Sequence, residues 1–365
     1  MLRIFPALRL CCWAMAAALC ALPASSALAQ TAASWTFLGG SVLSPQSTVT
    51  FASESIGSPS VVYDSIRDRF VMVFESRTPS TDPDCPAGIW ALGMATSPNG
   101  TTWTMTTSPL LLPVPGSGNY FSCVAAHPAA VFLGGGNGSM QVFFKAQQDT
   151  AACATTIPSW GCGEYTGVGR MRVRFDAVGA VQSISVQASP ALSPAGGVAE
   201  GYPSVIKDGS TFYMAVQHYP NIELSSSASF TTFPAPTPVI ELKDHLGVVP
   251  WVDDEFFNPS LMCDDSVAFP FAMFVGGRDT SFAKIRSGAM SKAISSASIL
   301  WALSATPQVE WSTDDEYRHW DTQRLITGDY LLWFTERDAN GDNFIRFGAT
   351  NLVFNNSDVA GRICP

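Results

Sequence analysis

Charge is scarce in this 365-residue chain: 14% of its residues are Asp, Glu, Lys or Arg, and 30 acids against 20 bases leave a net charge of −10. Without clustered Lys and Arg nothing displaces counterions from a polyanion, so nucleic acid and anionic membrane surfaces are excluded as partners. Sustained apolar residues at three-to-four spacing are missing, and Pro and Gly interrupt the chain every few residues, which argues against a helical fold. No Gly-x-Ser-x-Gly elbow, HExxH helix or CxxC pair occurs, so a serine-hydrolase elbow, a zincin and a CxxC zinc site lack their signatures. Beyond the N-terminus no apolar run reaches the ~20 residues that span a bilayer.

What is present starts with an export signal. "MLRIFPALRLCCWAMAAALCALPASSALAQ" sets two arginines ahead of an apolar stretch and ends on Ala27-Leu28-Ala29, the pattern of a signal peptide cleaved before Gln30. Residues 1–29 are thus expected to leave, and 30–365 to form a single secreted domain, extracellular or periplasmic. Cys85, Cys123, Cys153, Cys162, Cys263 and Cys364 remain as an even set, which allows three disulfides. Local closure of Cys153 with Cys162, and pairing of Cys85 with Cys123 and Cys263 with Cys364, is the economical arrangement, although spacing does not fix connectivity.

One grammar recurs along the mature chain: Pro-Ser, an apolar run, a charged or Gly-rich turn, and a second apolar run. It reads "SPSVVYDSIRDRFVMVFESR" from Ser58, "AHPAAVFLGGGNGSMQVFFKAQQ" from Ala126, "GYPSVIKDGSTFYMAVQHY" from Gly201, "FNPSLMCDDSVAFPFAMFVGG" from Phe257 and, without the proline, "HWDTQRLITGDYLLWFTERD" from His319. Pro59, Pro128, Pro203, Pro259 and Trp320 mark spacings of 69, 75, 56 and 61 residues. Short strands repeating at that period predict an all-β fold, a five-bladed β-propeller with four-stranded antiparallel blades. Residues 34–39, "SWTFLG", lack a hairpin of their own and are expected to add a strand beside "FIRFGATNLVF", so that both chain ends close the ring and leave no open edge.

Loops entering the inner strands of such a ring line its channel mouth. The segments ahead of the marker residues carry Glu54, Glu200, Asp253, Asp254, Glu255, Asp314, Asp315, Glu316 and Asp321, with His127, Arg318 and His319 among them. Tyr202, Trp251, Phe256, Tyr317 and Trp320 lie in the same approaches. Rings that stack on sugar faces, beside acids and an Arg that bond to hydroxyls, suit a carbohydrate. Two acids flanking a glycosidic bond can hydrolyse it, one protonated to donate and one ionised to activate water or attack.

The motifs "SPSVVYD", "RFVMVFES" and "ATSPNGTTW" make the chain similar to five-bladed propeller glycosidases, the arabinanase, xylosidase and arabinofuranosidase group of glycoside hydrolase family 43 with the related invertase group. The resemblance implies a general acid at Glu200, in "AEGYPSV", with Tyr202 inserted. It puts Ser58 where the family carries its aspartate base and His127 where it carries a helper aspartate. It also implies a histidine beside a channel ion at His319. Because serine cannot act as a carboxylate base, Glu54 or an acid from Asp253 to Glu255 is the expected replacement, Asp254 and Glu255 first among them. His127, Tyr202, Trp251, Arg318, His319, Trp320 and Asp321 are expected to bind substrate. No protein-bound metal or cofactor is required, although the resemblance leaves room for Ca2+ or another ion in the channel.

Two functions follow as expectations. One is a secreted, monomeric glycoside hydrolase working by paired carboxylates on an oligo- or polysaccharide. The alternative is a noncatalytic carbohydrate-binding or surface-interaction propeller that has lost its base. "FLGGGNGSM" and "DANGDNF" join strands and read as turns, not as a phosphate cradle or a calcium loop.

Overall fold

A computed structural model of the chain describes residues 34–78, 82, 85, 88–148, 164–193, 201–246, 251–266, 269–278, 285–293, 301–304, 307–309, 317–337 and 342–364. After the short N-terminal strand β1 (Thr36–Phe37), each copy of the repeated grammar folds as an antiparallel hairpin followed by further strands. The first unit comprises β2 (Ser55–Asp64), β3 (Arg69–Thr78), β4 (Ile89–Ser97) and β5 (Thr104–Met105). The second comprises β6 (Val124–Phe132), β7 (Ser139–Gln148), β8 (Glu164–Phe175) and β9 (Val181–Val186). The third is β10 (Gly201–Asp208), β11 (Thr211–His218), β12 (Asn221–Ser227) and β13 (Thr237–Ile240), and the fourth β14 (Glu255–Ser266), β15 (Phe269–Arg278), β16 (Ile285–Ala293) and β17 (Trp301–Leu303). The last supplies β18 (Tyr317–Arg324), β19 (Tyr330–Arg337) and β20 (Asn343–Ala349), followed by β21 (Ile363–Cys364) near the C-terminus.

The last unit takes its fourth strand from the other end of the chain. β1 pairs antiparallel with β20, Thr36 opposite Ala349 and Phe37 opposite Gly348, as the "SWTFLG" segment predicted. β21 runs parallel beside β10, with Lys207 opposite Ile363. Cys85–Cys123 and Cys263–Cys364 are disulfides with Cα–Cα distances of 5.5 and 5.2 Å, the pairs favoured on economy. Cys153 and Cys162 lie outside the described residues.

The second strand of each unit is apolar at nearly every position because both of its faces are buried. Alternate side chains of a strand point to opposite faces, so in "FVMVF" Phe70, Met72 and Phe74 join Leu331, Trp333 and Phe347 of the last unit, while Val71 and Val73 join Val142 and Phe144 of the second. Phe143 then meets Val205 and Met214 of the third unit. Ala215 meets Leu261 and Met273 of the fourth, and Phe274 meets Leu332 and Phe334 of the last. Consecutive units are thus glued face to face, and burial of each such Phe, Leu or Met contributes roughly 1.5–3 kcal/mol. The first strands pack in the same cycle: β2 on β6, β6 on β10, β10 on β14, β14 on β18, and β18 back on β2.

The "ATSPNGTTW" tip shows why its residue types are needed. Asn99 Oδ1 accepts from the N–H groups of Thr101 and Thr102 at 3.1 and 2.9 Å, an Asx turn. Gly100 takes φ +75° there, and its carbonyl accepts from both Trp103 Nε1 and Trp333 Nε1 at 2.9 and 2.8 Å. The Gly-rich "GGGNG" is likewise a turn between β6 and β7, whereas Asp338–Gly341 fall outside the described residues. Among the described residues no helix is long and apolar enough to cross a membrane.

Candidate functional site

Each innermost strand carries one extra residue at the same place. Between Gly57↔Glu75 and Ser60↔Val73 the residues Ser58 and Pro59 oppose Phe74 alone, and the same shift occurs at Ala126/Ala129, Gly201/Ser204 and Phe257/Ser260. In the last unit the shift lies between Arg318 and Trp320, and Trp320 pairs directly with Phe334. The other four units have proline at the corresponding position, which has no N–H for the ladder. The bulges hold Ser58, His127, Tyr202, Asn258 and His319 at φ +45°, +48°, +31°, +49° and +52°. This left-handed conformation costs non-glycine residues about 1–3 kcal/mol. Glycine would adopt it without strain. That none of the five is glycine argues that their side chains are needed.

All five border one cavity, which opens on the axis where the inner strands meet. It measures about 20 Å³ as room for the centre of a water molecule, enough for a water or an ion and far too small for a sugar ring. The rings of His127 and His319 lie 4.3 Å apart between centroids, and Tyr202 lies 4.1 Å from His127 and stacks on His319 at 5.2 Å. Lys145 Nζ sits 5.2 Å over the Tyr202 ring, a cation–π geometry.

Side chains of the second strands hold the bulges in place. Glu75 Oε2 accepts the His127 N–H at 2.9 Å, Thr335 Oγ1 the Ser58 N–H at 2.8 Å, and Gln217 Oε1 the Asn258 N–H at 3.3 Å. Beneath them a second belt ties inner strands to their successors at four of the five junctions. Ser60 Oγ accepts the Ala130 N–H, Ser204 Oγ the Leu261 N–H and Ser260 Oγ the Thr322 N–H, at 2.8–3.0 Å, and Asp321 Oδ2 closes the cycle on the Val61 N–H at 2.7 Å. The second unit has Ala129 at this level and no group to donate or accept. At the same level the C-terminal tail inserts Arg362 among the third, fourth and last units; it is 4% exposed and donates to Ser204 Oγ, the Leu261 carbonyl and the Asp321 carboxylate. Burial pulls its pKa down to about 10.

Burial also pushes the Glu75 carboxyl up to about 7, against the opposing pull of the His127 N–H, the Ser58 hydroxyl and the Lys145 charge. His127 is held well below the usual imidazole range, first by burial and then by His319 and Lys145. Ser58 Oγ and Glu75 Oε2 lie 2.9 and 3.3 Å from the same His127 nitrogen, Nδ1. A Ser–His–acid triad requires them on opposite nitrogens, so serine nucleophilic catalysis does not fit. Glu75, His127 and His319 bring ligand atoms within 4.8 Å of one another and are the one group among the described residues that could hold a metal ion.

Of the residues predicted from the sequence, His127, Tyr202, His319, Trp320 and Asp321 meet at this cavity. The Asp321 carboxylate is engaged by Val61 and Arg362. Trp320 borders the cavity at 4% exposure, its ring edge-on to Phe274 at 5.7 Å. Trp251 requires correction as a substrate platform: it is wholly buried in the core between the third and fourth units, with Nε1 donating to the Ser304 carbonyl. Asp254 and Glu255 lie off the cavity and share Arg278, at 2.8 and 2.7 Å. Glu200 lies outside the described residues, and for Arg318 only its backbone pairing with Thr335 is described. Sequence reasoning missed Glu75, Asn258 and Arg362. Asn258 carried a signal, since it precedes Pro259 as His127 precedes Pro128.

No protein-family model matches the chain, and no curated protein does. Solved structures do. β-1,2-Mannobiose phosphorylase from Listeria innocua superposes with a TM-score of 0.60 at 10% identity, over 87% of this chain and 97% of that one. A glycosyl hydrolase from Bacteroides ovatus gives 0.58 at 10% identity, over 86% and 94%. The fold is that of a glycosidase-type propeller. Sucrose-6-phosphate hydrolase from Lactobacillus gasseri gives 0.54 at 11% identity, over 84% of this chain and 59% of the other. At such identities the likeness carries the fold and no activity.

Proposed function

We propose that the protein is an exported, monomeric, five-bladed propeller that binds a carbohydrate over the mouth of its channel. The observation that carries this reading is the set of five left-handed bulges turning Ser58, His127, Tyr202, Asn258 and His319 toward one cavity. The cyclic packing of five inner strands and the completion of the last sheet by β1 support the blade count. The signal-like N-terminus and two disulfides support export. The solved propellers it resembles include enzymes of mannobiose and sucrose phosphate, and the "SPSV" and "ATSPNGTTW" motifs support kinship with the family 43 group. Since the cavity admits only a water or an ion, the sugar lies on its rim.

Binding without turnover is the better supported mode, because the described acids in and around the mouth are already engaged: Glu75 by His127, Asp321 by Arg362, and Asp254 and Glu255 by Arg278. Hydrolysis is the second reading. It is favoured by Glu200, which in the sequence stands two residues before the bulge residue Tyr202. As proton donor it would need a partner carboxyl about 5–10 Å away, from Asp254 or Glu255. The test is a panel of oligosaccharides assayed for binding and for release of reducing sugar. Binding without release supports the first reading. Release abolished by Glu200→Gln supports the second, and neither binding nor release by the wild type would defeat both.

A further inference from the structure

We propose that Glu75, His127 and His319 form a site for a first-row transition-metal dication, best matched by Zn2+, at the channel mouth. The site stands independently of the carbohydrate reading.

Three units converge on it: Glu75 comes from β3, His127 from β6 and His319 from β18. Their ligand atoms lie within 4.8 Å of one another. The His127 Nδ1 to Glu75 Oε2 distance is 3.3 Å, close to the ligand-to-ligand edge of a tetrahedron with bonds of roughly 2.0–2.2 Å. The two histidines occupy their places through strained left-handed backbone, so the chain gives up stability to aim them inward.

The donor set selects the ion. A calcium or other hard cation, for which the family resemblance leaves room, takes six to eight oxygens. Two imidazoles and one carboxylate do not offer that. They match the His2Glu set of zinc sites that keep a fourth position open. A second observation points to a ligand in that position. Asn258 borders the same cavity, is 8% exposed, and its buried Nδ2 has no hydrogen-bond partner. A metal-bound water or hydroxide would supply the acceptor that a buried amide donor needs, and a cavity of about 20 Å³ has room for that water. Lys145 and Arg362 are the cations facing this space, and the carboxylates of Glu75 and Asp321 offset them.

The experiment uses the full mature protein without a histidine tag, stripped with chelator and titrated with ZnCl2 by calorimetry. One equivalent is expected to bind, Ca2+ is expected not to displace it, and Co2+ in its place should show the visible absorption of four-coordinate cobalt. His127→Asn and His319→Asn, chosen because Asn tolerates the left-handed conformation, and Glu75→Gln should each weaken binding by roughly tenfold or more. His218→Ala, which alters the separate His218–Glu223 pair, should leave it unchanged. If a variant does not fold, X-ray absorption of the wild-type zinc complex decides, two imidazoles in the inner sphere being expected. Absence of stoichiometric zinc, displacement by Ca2+, retention of affinity in the three folded variants, or a shell without imidazole would each overturn the proposal.

Discussion

Asp321 accepts the backbone N–H of Val61 at 2.7 Å, a bond between residues 260 positions apart. It joins the last inner strand to the first, and its other oxygen meets Arg362. Removing one partner of a buried ion pair strands the other in a medium that cannot solvate it. Asp321→Ala should therefore lower unfolding stability by about 3–5 kcal/mol, read from chemical denaturation.

The Cys263–Cys364 disulfide fastens the tail that carries Arg362, and it spans 101 residues. Cys364→Ser should cost roughly 2–5 kcal/mol. Limited proteolysis should also clip the C-terminal residues of this variant first, because past the Arg362 anchor Ile363 and Cys364 are then held by the ladder pairs Lys207↔Ile363 and Asp208↔Cys364.

At Asn258 the backbone is left-handed and the side-chain donor is unsatisfied. Asn258→Gly should change stability by less than about 1 kcal/mol, relief of strain offsetting the entropy of glycine. Asn258→Val should cost about 1–3 kcal/mol, since a β-branched residue resists positive φ. Thermal melts of the two variants separate a strained functional position from an ordinary one.

Much of the ring could be read from the sequence because every unit repeats the same burial problem. Both faces of the second strand are covered, so "RFVMVFES" and its counterparts stay apolar, and in four of the five units a proline just after the left-handed bulge residue marks the inner strand. The closing strand at Thr36–Phe37 was legible as a strand without a hairpin. The site was less so. Aromatics beside acids look alike whether they face a ligand or a core, and Trp251 faces the core. That Arg278 spans Asp254 and Glu255 depends on the register of β14 against β15, which composition does not reveal. Glu75 sits at the end of an apolar strand and becomes visible only when the second unit folds against it.

His245 sits half-buried beside Phe256, and burial lowers its pKa below the ordinary 6.5, partly opposed by Asp244. Folding therefore favours its neutral form. The unfolded chain takes up the proton first as pH falls below 6.5, so this contribution is fully present above that pH and is lost as pH drops toward the folded pKa. His245→Gln should flatten the stability profile on the acid side of pH 6.5, as measured by denaturation at a series of pH values.

The central claim is that the five bulge residues form the rim on which a carbohydrate sits. It is tested most directly by calorimetric titration of the mature wild-type protein, and of Tyr202→Ala and Asn258→Ala, with the best-binding glycan of the panel. Loss of affinity by roughly tenfold or more in both variants, about 1.4 kcal/mol per factor of ten, with their circular dichroism unchanged, is the predicted result. Equal affinity in all three proteins, or no glycan bound by the wild type, would contradict it.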